Sequence, residues 1–313
     1  MKTLYVAAVA ALFSGSVAHA EWTPAGPIKV LIAFKAGGGS DTMARMIIED
    51  VQAERGWNLI PENVPGAGGG VMARELKNAP ADGLTIGFGI TDTFAYGILA
   101  ARNPGYTPDD FDFLATLAGT QMAVVAKAER GWTTFSDVIE AARAGEEISF
   151  GTMTPRLADG AYYLGKVNDV DFNIVTNYNG GQDVLNAINA EDVDIGWVAG
   201  PQKSGVLSGD LIDLVNGEDV PLIASPNAQE LSDIGVDFHF GATFLAVAPA
   251  GLDEEIATAL TDAITTAVQK EGSKANTFIN KLFVEKIKAG ADARAYVERE
   301  AADAEALLSA TAD

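Results

Sequence analysis

Cysteine is absent from all 313 residues of this sequence, which removes disulfides, thiolate metal sites and cysteine nucleophiles together. Histidine is nearly absent, with only His19 and His239. Zinc sites built on two or three imidazoles cannot be assembled from so few. A Ser-His-Asp triad would have to use His239, and no Gly-x-Ser-x-Gly elbow supplies its serine. Positive charge is scarce as well: 21 Lys and Arg stand against 43 Asp and Glu, a formal net charge of −22. Nucleic-acid binding depends on clustered cations that neutralise phosphates, so the balance argues against it. Long apolar runs are missing too, since no stretch beyond the first twenty residues approaches the roughly 18 needed to span a bilayer. The acidic runs Glu191/Asp192/Asp194 and Glu218/Asp219 read as solvated faces rather than general acid–base pairs. His239, in the alternating run Asp237-Phe238-His239-Phe240, reads as a strand residue. Catalysis is the weaker expectation, and no cofactor or metal is called for.

What is present starts with a leader. Lys2 supplies a positive n-region, residues 4–13 are almost all apolar, and Ala18-His19-Ala20 has the form of a cleavage site. Residues 1–20 therefore read as a secretory signal peptide, too short in its apolar part to be a membrane span. The remaining chain is expected to be exported, soluble and not membrane-inserted. Its length fits two compact domains, and 48% hydrophobic residues suffice for a core.

Strand-like and helix-like segments alternate along the chain. Residues 28–34 form a β-branched and aromatic run, and a helical pattern carries Met43, Ala44, Ile47, Ile48 and Val51. Leu59 and Ile60 read as a brief strand before Pro61, residues 71–78 as a helix and residues 84–90 as a strand. Met122–Lys127 reads as a strand, residues 135–144 as a helix and residues 148–150 as a strand feeding a helix near Leu157. The tail from Glu254 to Leu308 reads as mostly helix, broken near Gly272 and Gly290. Such alternation implies an α/β fold with parallel βαβ units. Two strand-to-helix loops echo one another: Lys35-Ala36-Gly37-Gly38-Gly39-Ser40-Asp41 and Gly151-Thr152-Met153-Thr154-Pro155-Arg156. At a helix start the first amides lack partners and the dipole is positive, which suits an anion. Neither loop is a Rossmann or Walker signature. Two of them make sense facing each other across a cleft.

Pro27-Ile28-Lys29-Val30-Leu31-Ile32-Ala33-Phe34, followed by Gly37-Gly38-Gly39-Ser40-Asp41, resembles the opening of the tripartite tricarboxylate transporter substrate-binding proteins, the TctC or Bug family. Pro61-Glu62-Asn63-Val64-Pro65-Gly66-Ala67-Gly68-Gly69 resembles a second signature and Ala79-Pro80-Ala81-Asp82-Gly83-Leu84-Thr85 a third. Looser matches continue through Tyr178-Asn179-Gly180-Gly181 to Ala248-Pro249-Ala250-Gly251. The resemblance implies a two-lobed type II periplasmic-binding-protein fold, each lobe a mainly parallel sheet flanked by helices, with a ligand cleft between the lobes. Lobe one would hold residues 27–125 and 246–313 and lobe two residues 126–245, with Met122–Lys127 and Thr243–Pro249 as crossings. It also implies a periplasmic, monomeric receptor that binds a small organic carboxylate and delivers it to membrane permease subunits. A periplasmic enzyme on the same scaffold, or a receptor presenting ligand to a sensor kinase, stays open as an alternative.

Carried over by position, the site would use Phe34, Ala36, Gly37, Gly38 and Ser40 from one lobe and Gly151, Thr152 and Thr154 from the other. Thr91 and Thr93 would line the floor. Two departures from the family add cations: Lys35 replaces a usual proline, and Met153-Thr154-Pro155-Arg156 replaces a loop rich in Ser, Asn and Gly. Arg156 is expected to make a two-bond pair with a second carboxylate. Otherwise it and Lys35 would face solvent or pair with Asp41 or Asp159. Asp41 matches the motif's acid and would cap backbone amides. Phe34, Tyr178 and Phe244 would lie against the ligand's carbon skeleton, and Met153 would tune the pocket. Trp57, Trp132 and Trp197 are expected in the core.

Overall fold

A computed structural model describes residues 22–312; the leader lies outside the described residues. Eleven strands form two sheets. They are β1 (Ile28–Ile32), β2 (Leu59–Asn63), β3 (Thr85–Ile90), β4 (Phe111–Gly119), β5 (Met122–Lys127), β6 (Ser149–Gly151), β7 (Asn173–Val175), β8 (Ile195–Ala199), β9 (Leu211–Asn216), β10 (Thr243–Pro249) and β11 (Val284–Ala289). The first sheet runs β11-β4-β10-β3-β1-β2 and the second β7-β6-β8-β5-β9. In each, parallel strands (β2, β1 and β3; β7, β6 and β8) are joined by antiparallel strands near the crossings. β1 and β10 are buried along nearly their whole length, which is why they read as continuous apolar runs.

Three segments depart from the sequence reading. β4 is a nine-residue strand inside the first sheet, buried on both faces and so without the alternation that marks a half-exposed strand. β2 continues through Pro61, because it pairs only with β1 at the sheet edge and proline's missing N–H is harmless there. The tail, expected to be mostly helix with breaks near Gly272 and Gly290, contains the strand β11 between two helices, paired antiparallel with β4. The three tryptophans expected in the core are buried, at 8%, 8% and 0% exposure for Trp57, Trp132 and Trp197.

The chain passes between the sheets twice, between Gly119 and Met122 and again between Asn216 and Thr243. These passages are bonded to each other. Thr120 N donates to Ala242 O and Ala242 N to Thr120 Oγ1, both at 2.9 Å. Glu218 joins them: one oxygen, Oε1, accepts from Thr120 Oγ1 and from Met122 N, each at 2.7 Å. This acid is buried, not part of a solvated face, because the turn after β9 folds it inward while Asp219 stays outside. The last helix, Gly290–Thr311, spans both lobes. Ala293 and Val297 sit in an apolar cluster with β1 and β10 residues, whereas Ala304 and Leu307 sit in one with Trp197 and Phe240.

Candidate functional site

The first loop is built around Asp41. Gly37 turns with φ 85°, a conformation that favours glycine, and its N–H donates to Asp41 Oδ2 at 2.9 Å. Asp41 Oδ1 accepts from Arg45 Nε and Asn63 Nδ2, each at 2.8 Å. Burial alone would raise this carboxyl's pKa, but the Gly37, Asn63 and Arg45 hydrogen bonds outweigh it and hold it below the usual range. Both oxygens are thus spent on the loop. Gly38 stands at the N-cap of the helix Gly39–Arg55 without a side chain to satisfy its first amides. Ser40 lies in that first turn, and Phe34 and Ala36 precede it.

A second loop from the same lobe approaches β3. A Cβ on Gly69 would stand 2.3 Å from Thr93 Oγ1, so only glycine permits this contact. Thr93 Oγ1 donates to Gly68 O at 2.8 Å, and Thr91 Oγ1 accepts from Thr243 N at 3.2 Å. Both threonines are fully buried and hold the backbone together. Asp92 between them is the residue turned toward the other lobe, a position the sequence reading missed. The short helix Thr91–Phe94 rotates the middle residue away from its neighbours, and no local sequence pattern announces it.

From the second lobe, Gly151 and Thr152 follow β6, and Thr152 N bonds to Val175 O at 2.8 Å. Thr154 caps the helix Pro155–Asn168, accepting from Leu157 N at 3.3 Å. Gly151 lies beside Tyr178, and Gly181 beside the Met153 sulfur. Phe244 is 7% exposed and packs edge-on against Phe283 at 5.0 Å, so it supports the cleft from within the core.

Among the polar contacts that cross between the lobes, three lie around the cleft. Lys35 Nζ donates to Asn179 Oδ1 at 2.6 Å. Tyr96 OH donates to Asp159 Oδ2 at 2.5 Å, and burial, then this carboxylate, raises the phenol's pKa. Arg156 Nη1 donates to Asp92 Oδ1 at 2.9 Å. Lys35 is exposed, one of the alternatives considered from sequence, but its partner is Asn179 rather than Asp41 or Asp159, whereas Arg156 has neither the partner nor the exposure considered. Arg156 is 2% exposed, and it also donates to Gly241 O at 3.1 Å and His239 O at 2.9 Å. Burial disfavours its charge, but Asp92, Glu300 and Asp303 more than compensate and raise its pKa. His239 lies in an irregular segment, not a strand, with Nε2 at 3.6 Å from Glu300 and 3.4 Å from Asp303.

A cavity of about 230 Å³ lies where these elements meet. Ile90, Asp92, Tyr96 and Ala100 form one wall, and Thr154, Pro155 and Arg156 form the other. The structure therefore brings Thr154 and Arg156 to a shared cavity with Asp92 and Tyr96. Thr91, Thr93, Asp41 and Phe244 are buried and do not line this cavity, and neither do Phe34, Lys35, Ala36, Gly37, Gly38, Ser40, Gly151, Thr152, Met153 and Tyr178. Among the described residues, no group of three His, Cys, Asp or Glu could hold a metal ion.

A family model described as "Tripartite tricarboxylate transporter family receptor" matches residues 43–300. A UPF0065 protein of Bordetella pertussis is 24% identical over 235 residues, covering 74% of this chain and 72% of that protein. A Rhodopseudomonas palustris protein solved with adipate superposes with TM-score 0.80 at 20% identity, covering 92% of this chain and 98% of its own. MatC from Rhodopseudomonas palustris, solved with bound malate, gives TM-score 0.78 at 21% identity, covering 91% and 100%. The shared fold is the two-lobed one of TctC and Bug periplasmic binding proteins.

Proposed function

The chain belongs to the tripartite tricarboxylate transporter receptor family, and from that premise we propose that it is an extracytoplasmic receptor that captures a small organic carboxylate between its lobes and passes it to a membrane permease. Family and fold are those of solute-binding receptors rather than enzymes. The observation that supports the reading is the meeting of Ile90 and Asp92 from one lobe with Thr154, Pro155 and Arg156 from the other around one cavity, bridged by Arg156–Asp92, with Tyr96–Asp159 and Lys35–Asn179 also bonded across the cleft. In a chain with net charge −22, a diffuse positive field is not available to attract an anion. Local amides must hold it, and the uncapped start of the helix Gly39–Arg55 offers them.

In this assignment Ala36, Gly37, Gly38 and Ser40 present the first carboxylate with backbone N–H groups and a hydroxyl. Gly151, Met153, Thr154 and Tyr178 close from the second lobe, and Phe34 lies against the carbon skeleton. Arg156 ties the lobes together. Lobe closure around a ligand creates contacts that the open form lacks, so a permease can discriminate loaded from empty receptor. Among the described residues no helix is long and apolar enough to cross a membrane, so the permease would be a separate partner.

The test is a calorimetric screen of the protein lacking residues 1–20 against mono-, di- and tricarboxylates, with bound compound recovered and identified. One-to-one binding of an organic acid that is released unchanged supports the reading. Conversion of the compound by the protein alone, or no binding across the panel, defeats it.

A further inference from the structure

We propose that Asp92 makes the cleft selective for a carboxylate whose far end carries a hydrogen-bond donor, an ammonium or a hydroxyl group, over a dicarboxylate. The proposal rests on the receptor reading above and adds the ligand's second polar group to it.

The argument follows the polar atoms that line the cavity. Among the described residues Arg156 is the only cation on its walls, yet its side chain is just 3% exposed. Three of its N–H groups are held by Asp92, Gly241 and His239, and its Nε has no partner but is sealed from solvent. Its charge is further faced by Glu300 and Asp303 behind the wall. The Tyr96 hydroxyl already donates to Asp159, and Thr154 Oγ1 already accepts from the amide of Leu157.

Asp92 differs from all of these. Its side chain keeps 12% exposure, four times that of its partner. Oδ1 receives the Arg156 bond, whereas Oδ2 accepts no hydrogen bond from any described residue. The charged oxygen left without a partner in this otherwise largely apolar cavity is therefore a carboxylate oxygen. A ligand donor placed there forms a charge-assisted bond. A second ligand carboxylate placed there meets like charge in a partly desolvated site, with no cation free to answer it.

The experiment is calorimetry on the protein with ω-amino, ω-hydroxy and dicarboxylic acids of matched chain length, from succinate to adipate. The expected result is that the ω-amino or ω-hydroxy acid of the best-fitting length binds at least about tenfold more tightly than the dicarboxylate of that length, a difference of about 1.4 kcal/mol. Asp92→Asn keeps the side-chain shape and the acceptor facing Arg156, and turns the cavity-facing oxygen into an amide donor. It should shrink or reverse the preference, a change that a purely structural role for Asp92 would not produce. The proposal is overturned if the dicarboxylate binds as well as or better than its matched partners, or if Asp92→Asn leaves the ratio unchanged. Should Asp92→Asn fail to fold, the ratio in the unmodified protein decides alone. Binding of all three series without preference refutes only the role of Asp92, whereas failure of every carboxylate to bind refutes the receptor reading as well.

Discussion

Replacing Glu218 with glutamine should abolish a pH dependence of stability that originates between the two passages of the chain. The acid is buried, and burial pushes its carboxyl up to about 7, against the lowering effect of bonds from Met122 and Thr120 and of the nearby Lys286 charge. In the unfolded chain it titrates near 4.5. At about 1.4 kcal/mol for each tenfold change in proton affinity, that gap corresponds to about 3 kcal/mol. The folded state binds the proton more tightly, so the contribution is fully present below about 4.5, falls as pH rises and is gone above about 7. Glutamine keeps an acceptor for Thr120 Oγ1 and Met122 N but carries no charge to bury. Urea unfolding of both proteins, followed by tryptophan fluorescence between pH 4.5 and 8, gives their difference in stability. The glutamine form should gain about 3 kcal/mol on the native protein across that range. Asp219, Lys286, His239 and Glu300 are common to both and cancel in the difference. A difference that stays constant with pH to within about 0.5 kcal/mol would refute the reasoning.

Tyr96→Phe deletes the 2.5 Å bond to Asp159 across the cleft. It should weaken the tightest carboxylate found in the screen by about 1.5–3 kcal/mol, as for a hydrogen bond to a charged group; calorimetry showing less than a twofold change would count against closure through this contact. Gly200→Ala places a methyl 2.5 Å from Leu282 O on the other lobe, at φ 121°. Ligand affinity should drop at least about tenfold, with a larger radius of gyration in saturating ligand by X-ray scattering; an unchanged radius would show that Gly200 does not limit closure.

Much of the architecture was legible because burial writes itself into composition. β5 is matched residue for residue, since five of its six residues are buried and small or β-branched residues crowd there. β10 is legible as a strand for the same reason. β11 was not legible: Val284, Ile287 and three charged residues within Ala- and Glu-rich surroundings carry a helical composition, and pairing with β4 decides the outcome. Around the cleft, the loops announced themselves through glycine and hydroxyl residues, but the direction of each side chain did not. Thr91 and Thr93 carry the chemistry expected of a ligand shell, yet both are used to tie loops, and Asp92 lines the cavity. Likewise nothing in the pair Glu218-Asp219 tells which acid folds inward. Such choices depend on partners distant in sequence, as with Arg156 and Asp92, and local pattern does not encode them.

The two passages between sheets also order the events of folding. The second sheet is encoded without interruption from β5 to β9, so all its strands are available once Asn216 has been made. The first sheet must wait, because β10 lies between β3 and β4 and arrives more than a hundred residues after either β5 or β4 begins. Until then both of its older portions carry unpaired edges, the kind that invite pairing with other chains. Ala304 and Leu307, which complete the core of the inserted lobe, come last of all. During synthesis the inserted lobe thus has its strands in place before its core is complete, beside a host lobe still split in two, and the final helix is the piece that closes both cores together.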